Sequence, residues 1–156
     1  MTSSAPVLAK LQRMGSKAGV AGMARYGFRR QSMPVVEGLF NASLFNELHR
    51  LPELFCGFPR MPGHGPTLYP VACSPQAWAA GSAYLILQSM LGLSFAPSKP
   101  QIRFDNPQLP PFLNWVRIDN LRIGSASVDL VLRRHPRDVG LSVERKEGDI
   151  DIVVMS

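Results

Sequence analysis

Leu48-His49-Arg50-Leu51-Pro52-Glu53-Leu54-Phe55-Cys56-Gly57-Phe58-Pro59-Arg60, followed by a Pro/Gly loop and then Tyr69-Pro70-Val71-Ala72-Cys73-Ser74-Pro75-Gln76-Ala77-Trp78, is the stretch on which the reading of this chain turns. It is a long irregular connection between two helical patterns, and connections of this length inside compact domains are functional or disordered. Pro52, Pro59, Pro62, Pro66 and Pro70 favour a held shape, because proline fixes φ and lowers the entropic cost of ordering. Glu53 is its only acid between Leu48 and Trp78, and from Leu54 to Ser98 the one charged side chain is Arg60. A carboxylate alone among apolar and aromatic residues is a candidate general acid or base. Arg60, His64 and Tyr69 are polar groups suited to meeting hydroxyls. Phe55, Phe58 and Trp78 offer ring faces, although an aromatic near a helix start more often belongs to the core.

Upstream, Val20, Met23, Ala24 and Tyr26 predict a close-packing helix over 18–26, ended by Gly27 as a C-cap. A second helix is expected to open at Ser32, with Pro34 in its first turn and an apolar stripe of Val36, Leu39, Phe40, Ser43, Leu44 and Leu48. Downstream, Ser74-Pro75 reads as N-cap and first helical position of a third helix, reaching Leu91 and ending at Gly92. Residues 77–95 carry no charge, which approaches the length of a membrane span. Ser82, Gln88, Ser89, Gly81 and Gly92 dilute the run, and no basic flank anchors its start, so a helix buried on all sides is the expectation and no membrane partner.

Beyond Ser94 the composition changes. Pro97, Pro100, Pro107, Pro110 and Pro111 mark a Pro-rich connection over 96–111, and 112–156 reads as β. A strand is expected within 112–123. Ala126, Val128, Leu130 and Leu132 then alternate with polar or outward residues, and Val139, Leu141 and Val143, then Ile150, Ile152 and Val154, repeat the inward set. With Lys146-Glu147-Gly148 as a hairpin loop, the expectation is an antiparallel meander. The class is therefore α+β: a helical segment over 1–95, the connection, and a small antiparallel β-sheet.

Two motifs carry a resemblance. Leu51-Pro52-Glu53-Leu54-Phe55, with Tyr69-Pro70-Val71-Ala72-Cys73-Ser74-Pro75-Gln76-Ala77-Trp78 after it, resembles the C-terminal end of the glucosidase domain of glycogen debranching enzymes and of bacterial amylo-alpha-1,6-glucosidase-like proteins. The resemblance covers residues 18–95. It implies the last helices of an (α/α)6 barrel, an α-glucan or related saccharide as partner, and no cofactor or metal. Glu53 matches the general base of that inverting glycoside hydrolase, and Arg60, His64, Tyr69, Gln76 and Trp78 are the substrate-binding candidates beside it. Such hydrolysis needs a second carboxyl group ~6.5–9.5 Å away, leaving room for the attacking water. In the family that acid comes from an earlier loop of the barrel. Three helices do not close a barrel of twelve, so the resemblance also implies a missing N-terminal portion or another subunit. Where the family carries Pro-His-Asp-Asn ahead of Ala18, this chain has Met14-Gly15-Ser16-Lys17, a departure expected of a displaced frame, an alternative start or a truncation.

Composition fits this picture. A chain of 156 residues with 46% hydrophobic and 18% charged residues describes one globular domain's worth of core. The net charge of +6 lies N-terminally, where residues 1–50 carry seven basic and two acidic side chains against nine and eight in 99–156. No nucleic-acid motif accompanies it and aromatics do not interleave with the basic residues, so a solvated surface is expected and no nucleic-acid partner. Residues 1–17 are acid-free and Ser-containing, as in transit peptides or a ragged helical end. Without a secretory segment, a cytoplasmic setting with reduced Cys56 and Cys73 is the default. His49, Cys56, His64 and Cys73 lack the paired spacing of a zinc site. Against the glycosidase reading stand a non-catalytic carbohydrate-binding or subunit-docking module and an inactive gene remnant.

Overall fold

The computed structural model describes residues 16–96 and 98–155. It is α+β, with three α-helices and two small sheets among those residues. The chain divides into two compact units, Met1–Leu87 and Gln88–Ser156. The acid-free start up to residue 15 lies outside the described residues.

In the first unit, helix α1 (Ser16–Arg25) and helix α2 (Arg29–Ser43) pack together. Gly27, at φ +80°, ends α1: the N–H of Phe28 reaches Met23 O at 2.8 Å and that of Gly27 reaches Ala24 O at 3.1 Å. This paired closure needs a left-handed residue, which glycine adopts without steric cost. Helix α2 starts three residues before the expected Ser32. Pro34 therefore lies inside the helix, where it cannot donate to the carbonyl four residues back. The buried face is Arg29, Ser32, Val36, Leu39 and Ala42, against Val20 and Ala24 of α1. The expected stripe does not run on to Leu48. Of that stripe Val36 and Leu39 are buried, whereas Phe40 and Leu44 are exposed; Asn46 then turns extended with its Nδ2 donating to Ala42 O at 2.8 Å, and Leu48 beyond it is exposed too.

Helix α3 (Ala77–Leu91) begins later than expected, since its first bond runs from Ala80 N–H to Gln76 O at 2.8 Å and so makes Gln76 the cap in place of Ser74. It is not buried all round. Ala79, Ser82, Ile86, Met90 and Leu91 are buried, whereas Trp78, Tyr84 and Leu85 are exposed. The Ser82 hydroxyl is satisfied inside by Ala79 O at 2.6 Å. No helix among the described residues is long and apolar enough to cross a membrane.

The second unit opens with the last turn of α3 and Gly92, at φ +60°, where any Cβ would fall onto the Asp105 carbonyl. Strand β1 (Leu93–Phe95) pairs antiparallel with β2 (Gln101–Asp105), and β2 pairs parallel with β6 (Asp151–Met155). Strand β2, with Ile102 and Phe104 fully buried, lies in the segment that prolines marked as a connection. The second sheet is the expected antiparallel meander: β3 (Trp115–Ile123), β4 (Ala126–Arg134) and β5 (Val139–Glu147). Val128, Leu130 and Leu132 form its buried apolar row.

The β region is not the single antiparallel sheet expected over 112–156 but contributes to two sheets. Lys146 and Glu147 belong to β5, and the turn comes at Gly148, at φ +76°. The chain then leaves the meander, and Asp151 N–H binds Pro100 O at 2.9 Å as β6 joins β2. Alternation fixes which face of a strand is buried but not which strand lies beside it. Arg134 ties the proline-rich 109–113 segment down, its guanidinium donating to the carbonyls of Leu109 (2.9 Å), Leu113 (2.7 Å) and Pro110.

Candidate functional site

The irregular stretch folds back on itself so that its two motif halves meet. Glu53 N–H donates to Cys73 O at 2.9 Å, and Cys73 N–H donates to the Glu53 Oε2 at 3.3 Å. Gln76 N–H reaches Leu51 O at 3.4 Å. Further along, Phe55 and Leu68 form an antiparallel bridge, with Cys56 N–H on Thr67 O at 2.7 Å. Leu51 and Pro52 are buried and anchor the segment, while Glu53 is half-buried. The prolines suit this arrangement, because most of the backbone here follows no regular ladder and proline asks for no acceptor.

Glu53 therefore holds one oxygen on a main-chain donor, and its Oε1 has no partner among the described residues. Gln76, whose carbonyl caps α3, carries a buried Oε1 that also lacks a partner. Trp78 follows in the first turn of α3 and is 58% exposed. The structure thus brings Glu53 and Gln76 to one pair of hydrogen-bonded segments at the start of α3.

Arg60 and His64 form a second group. Arg60 Nε donates to His64 O at 2.6 Å, and its guanidinium lies 4.7 Å over the Phe45 ring. Gly65 closes on the same side chain, since a Cβ there would lie 2.8 Å from Phe45 Cβ and 3.0 Å from its ring carbon Cγ. Arg60 thus braces the loop against the end of α2, and His64 points outward from an exposed turn. Tyr69 is exposed, its carbonyl accepting Ala72 N–H at 3.0 Å. Cys56 and Cys73 are free thiols, and among the described residues no three His, Cys, Asp or Glu side chains gather as metal ligands.

Sequence reasoning missed two participants. Cys73 acts through its backbone, which residue type does not announce. Phe45 lies in the next segment upstream, and only its aromatic character hinted at a partner for a lone arginine.

Among the described residues, a cluster of paired charges lies in the second unit, on the polar face of the β3–β4–β5 sheet. Arg145 donates to both Asp129 oxygens (2.8 and 3.0 Å) and lies 2.6 Å from Glu147. These bonds, with Asn120 N–H on Asp129 at 2.7 Å, lower the Asp129 carboxyl to about 2. Arg145 likewise holds Glu147 below its usual range, and Asp119 raises Arg117.

No family model matches the chain, and neither a curated protein nor a solved structure does.

Proposed function

We propose that this chain is the C-terminal part of a glycogen-debranching-enzyme-like inverting glycoside hydrolase acting on α-glucosidic bonds, with Glu53 as general base and a cytoplasmic place of work. The observation that supports it is the pairing of the two motif halves: Glu53 and Cys73 exchange hydrogen bonds while Leu51 receives the N–H of Gln76. In this role Oε2 stays on the Cys73 amide and Oε1 takes the proton of a water that attacks the anomeric carbon. Trp78 and Tyr69 offer ring faces to the sugar, and Gln76, Arg60 and His64 offer polar atoms. The general acid belongs to an earlier loop of the complete enzyme, so the chain alone binds without turning over.

A second reading, a subunit-docking module, draws on the exposed Trp78, Tyr84 and Leu85 of α3. Apolar area left in water costs about 25 cal/mol per Å2, which a partner surface would recover.

NMR titration with isomaltose or maltotriose separates the two. The glycosidase reading predicts shifts at the Trp78 indole N–H and at the amides of Glu53, Cys73 and Gln76. An unchanged spectrum at tens of millimolar saccharide contradicts it.

A further inference from the structure

The polar face of the β3–β4–β5 sheet has two unlike ends. At one, Arg117 and Arg145 are paired with Asp119, Asp129 and Glu147. At the other, Trp115 stands opposite Arg133, and Arg133 stands opposite Gly140, so the three form one row on one face. Directly opposed residues place their side chains about 5 Å apart at Cβ. Where Gly140 leaves the row open, the His135 ring fills it: a Cβ there would lie 2.8 Å from His135 Nε2 and 3.1 Å from Cδ2. Trp115 is 55% exposed, and Arg133, His135 and Arg137 are exposed as well. No hydrogen bond or ion pair engages these three cationic or protonatable side chains among the described residues, and Asp138 is the only acid in 130–143.

We infer that this row is a binding site for a sugar phosphate, with the sugar's C–H face on the Trp115 indole and the phosphate held by Arg133, aided by His135 and the neighbouring Arg137. Unpaired guanidinium groups call for an anion, and their planar forks match phosphate oxygens. One indole beside one small cationic cluster fits a single ring with a single anionic group. A nucleic-acid strand asks instead for successive stacking platforms along a charged groove. The choice of a sugar over a planar base rests on the saccharide reading of the helical unit.

The test is an NMR titration of the full chain with glucose-6-phosphate, and in parallel with glucose, inorganic phosphate and AMP. The inference predicts movement of the Trp115 indole N–H and of the Arg133, His135 and Gly140 amides. It also predicts a Kd for glucose-6-phosphate about tenfold or more below those for glucose and inorganic phosphate, and a loss of about tenfold in Arg133→Ala, as expected for a charge-assisted pair. Trp115→Ala should weaken binding similarly. Arg133 is exposed, so its variant keeps the test open if the tryptophan variant fails to fold. No movement, an equal response to inorganic phosphate, or tighter binding of AMP overturns the inference. The Trp78 indole reports separately on neutral saccharide at the helical unit, so a failure of that reading and a failure of this inference are told apart.

Discussion

Glu53 accepts one main-chain N–H and keeps its other oxygen open, so replacing it with glutamine preserves shape and removes basicity. Under the proposed glycosidase function, with the barrel portion supplied, Glu53→Gln is expected to lower turnover by about a hundred- to ten-thousand-fold, the range of a general base. Because the group is half-buried and its bond is long, the melting temperature should stay nearly unchanged; full turnover would remove Glu53 from the mechanism. Asp129 makes a prediction about pH. Its folded carboxyl, at about 2, lies below the ordinary 3.8, so the unfolded chain binds the extra proton in acid. The stability it contributes is complete above the unfolded value and is lost as pH falls through the folded one, with Glu147 acting in the same direction. Thermal melts should therefore hold steady from about pH 7 to 5 and decline from about pH 4 to 2, with a shallower acid decline in Asp129→Asn. Glu53 was visible in the sequence because it is the single acid of an apolar stretch. Its Cys73 partner was not, because a backbone amide twenty residues away leaves no mark in residue type.

Helix ends and strand faces were legible where one residue carries the physics. Gly27 and Gly92 both stop helices at positive φ, and the inward set Ala126, Val128, Leu130 and Leu132 is buried in β4, although Ser127 and Val131, expected outward, are buried as well. Gly92→Ala should destabilise the fold by roughly 2 kcal/mol or more in a denaturant titration, since it adds left-handed strain and a collision with the Asp105 carbonyl. Strand β2 was hidden because flanking prolines outweighed a five-residue pattern, yet Phe104 is fully buried in it. Phe104→Ala is expected to cost about 3–5 kcal/mol, measured the same way. A cost under 1 kcal/mol, at the scale of a surface change, would mean that β2 is not part of the core. The partner of β6 was not legible at all, because pairing with β2 depends on where the chain goes after Gly148 and not on its own alternation.

For the molecule as a whole, the uncharged run that reads as a buried helix leaves Trp78, Tyr84 and Leu85 in water. The isolated chain should self-associate with rising concentration in sedimentation experiments, and Tyr84→Lys with Leu85→Lys should return it towards monomer. A chain that stays monomeric without these changes would mean that the face needs no cover. The proposal that Glu53 is the base of a glycosidase whose other half lies elsewhere is decided by the DNA upstream of the Met1 codon. Coding sequence for further paired helices with an acid-bearing loop is expected there, in frame or one frameshift away. An unrelated gene or a promoter in that place would contradict the proposal.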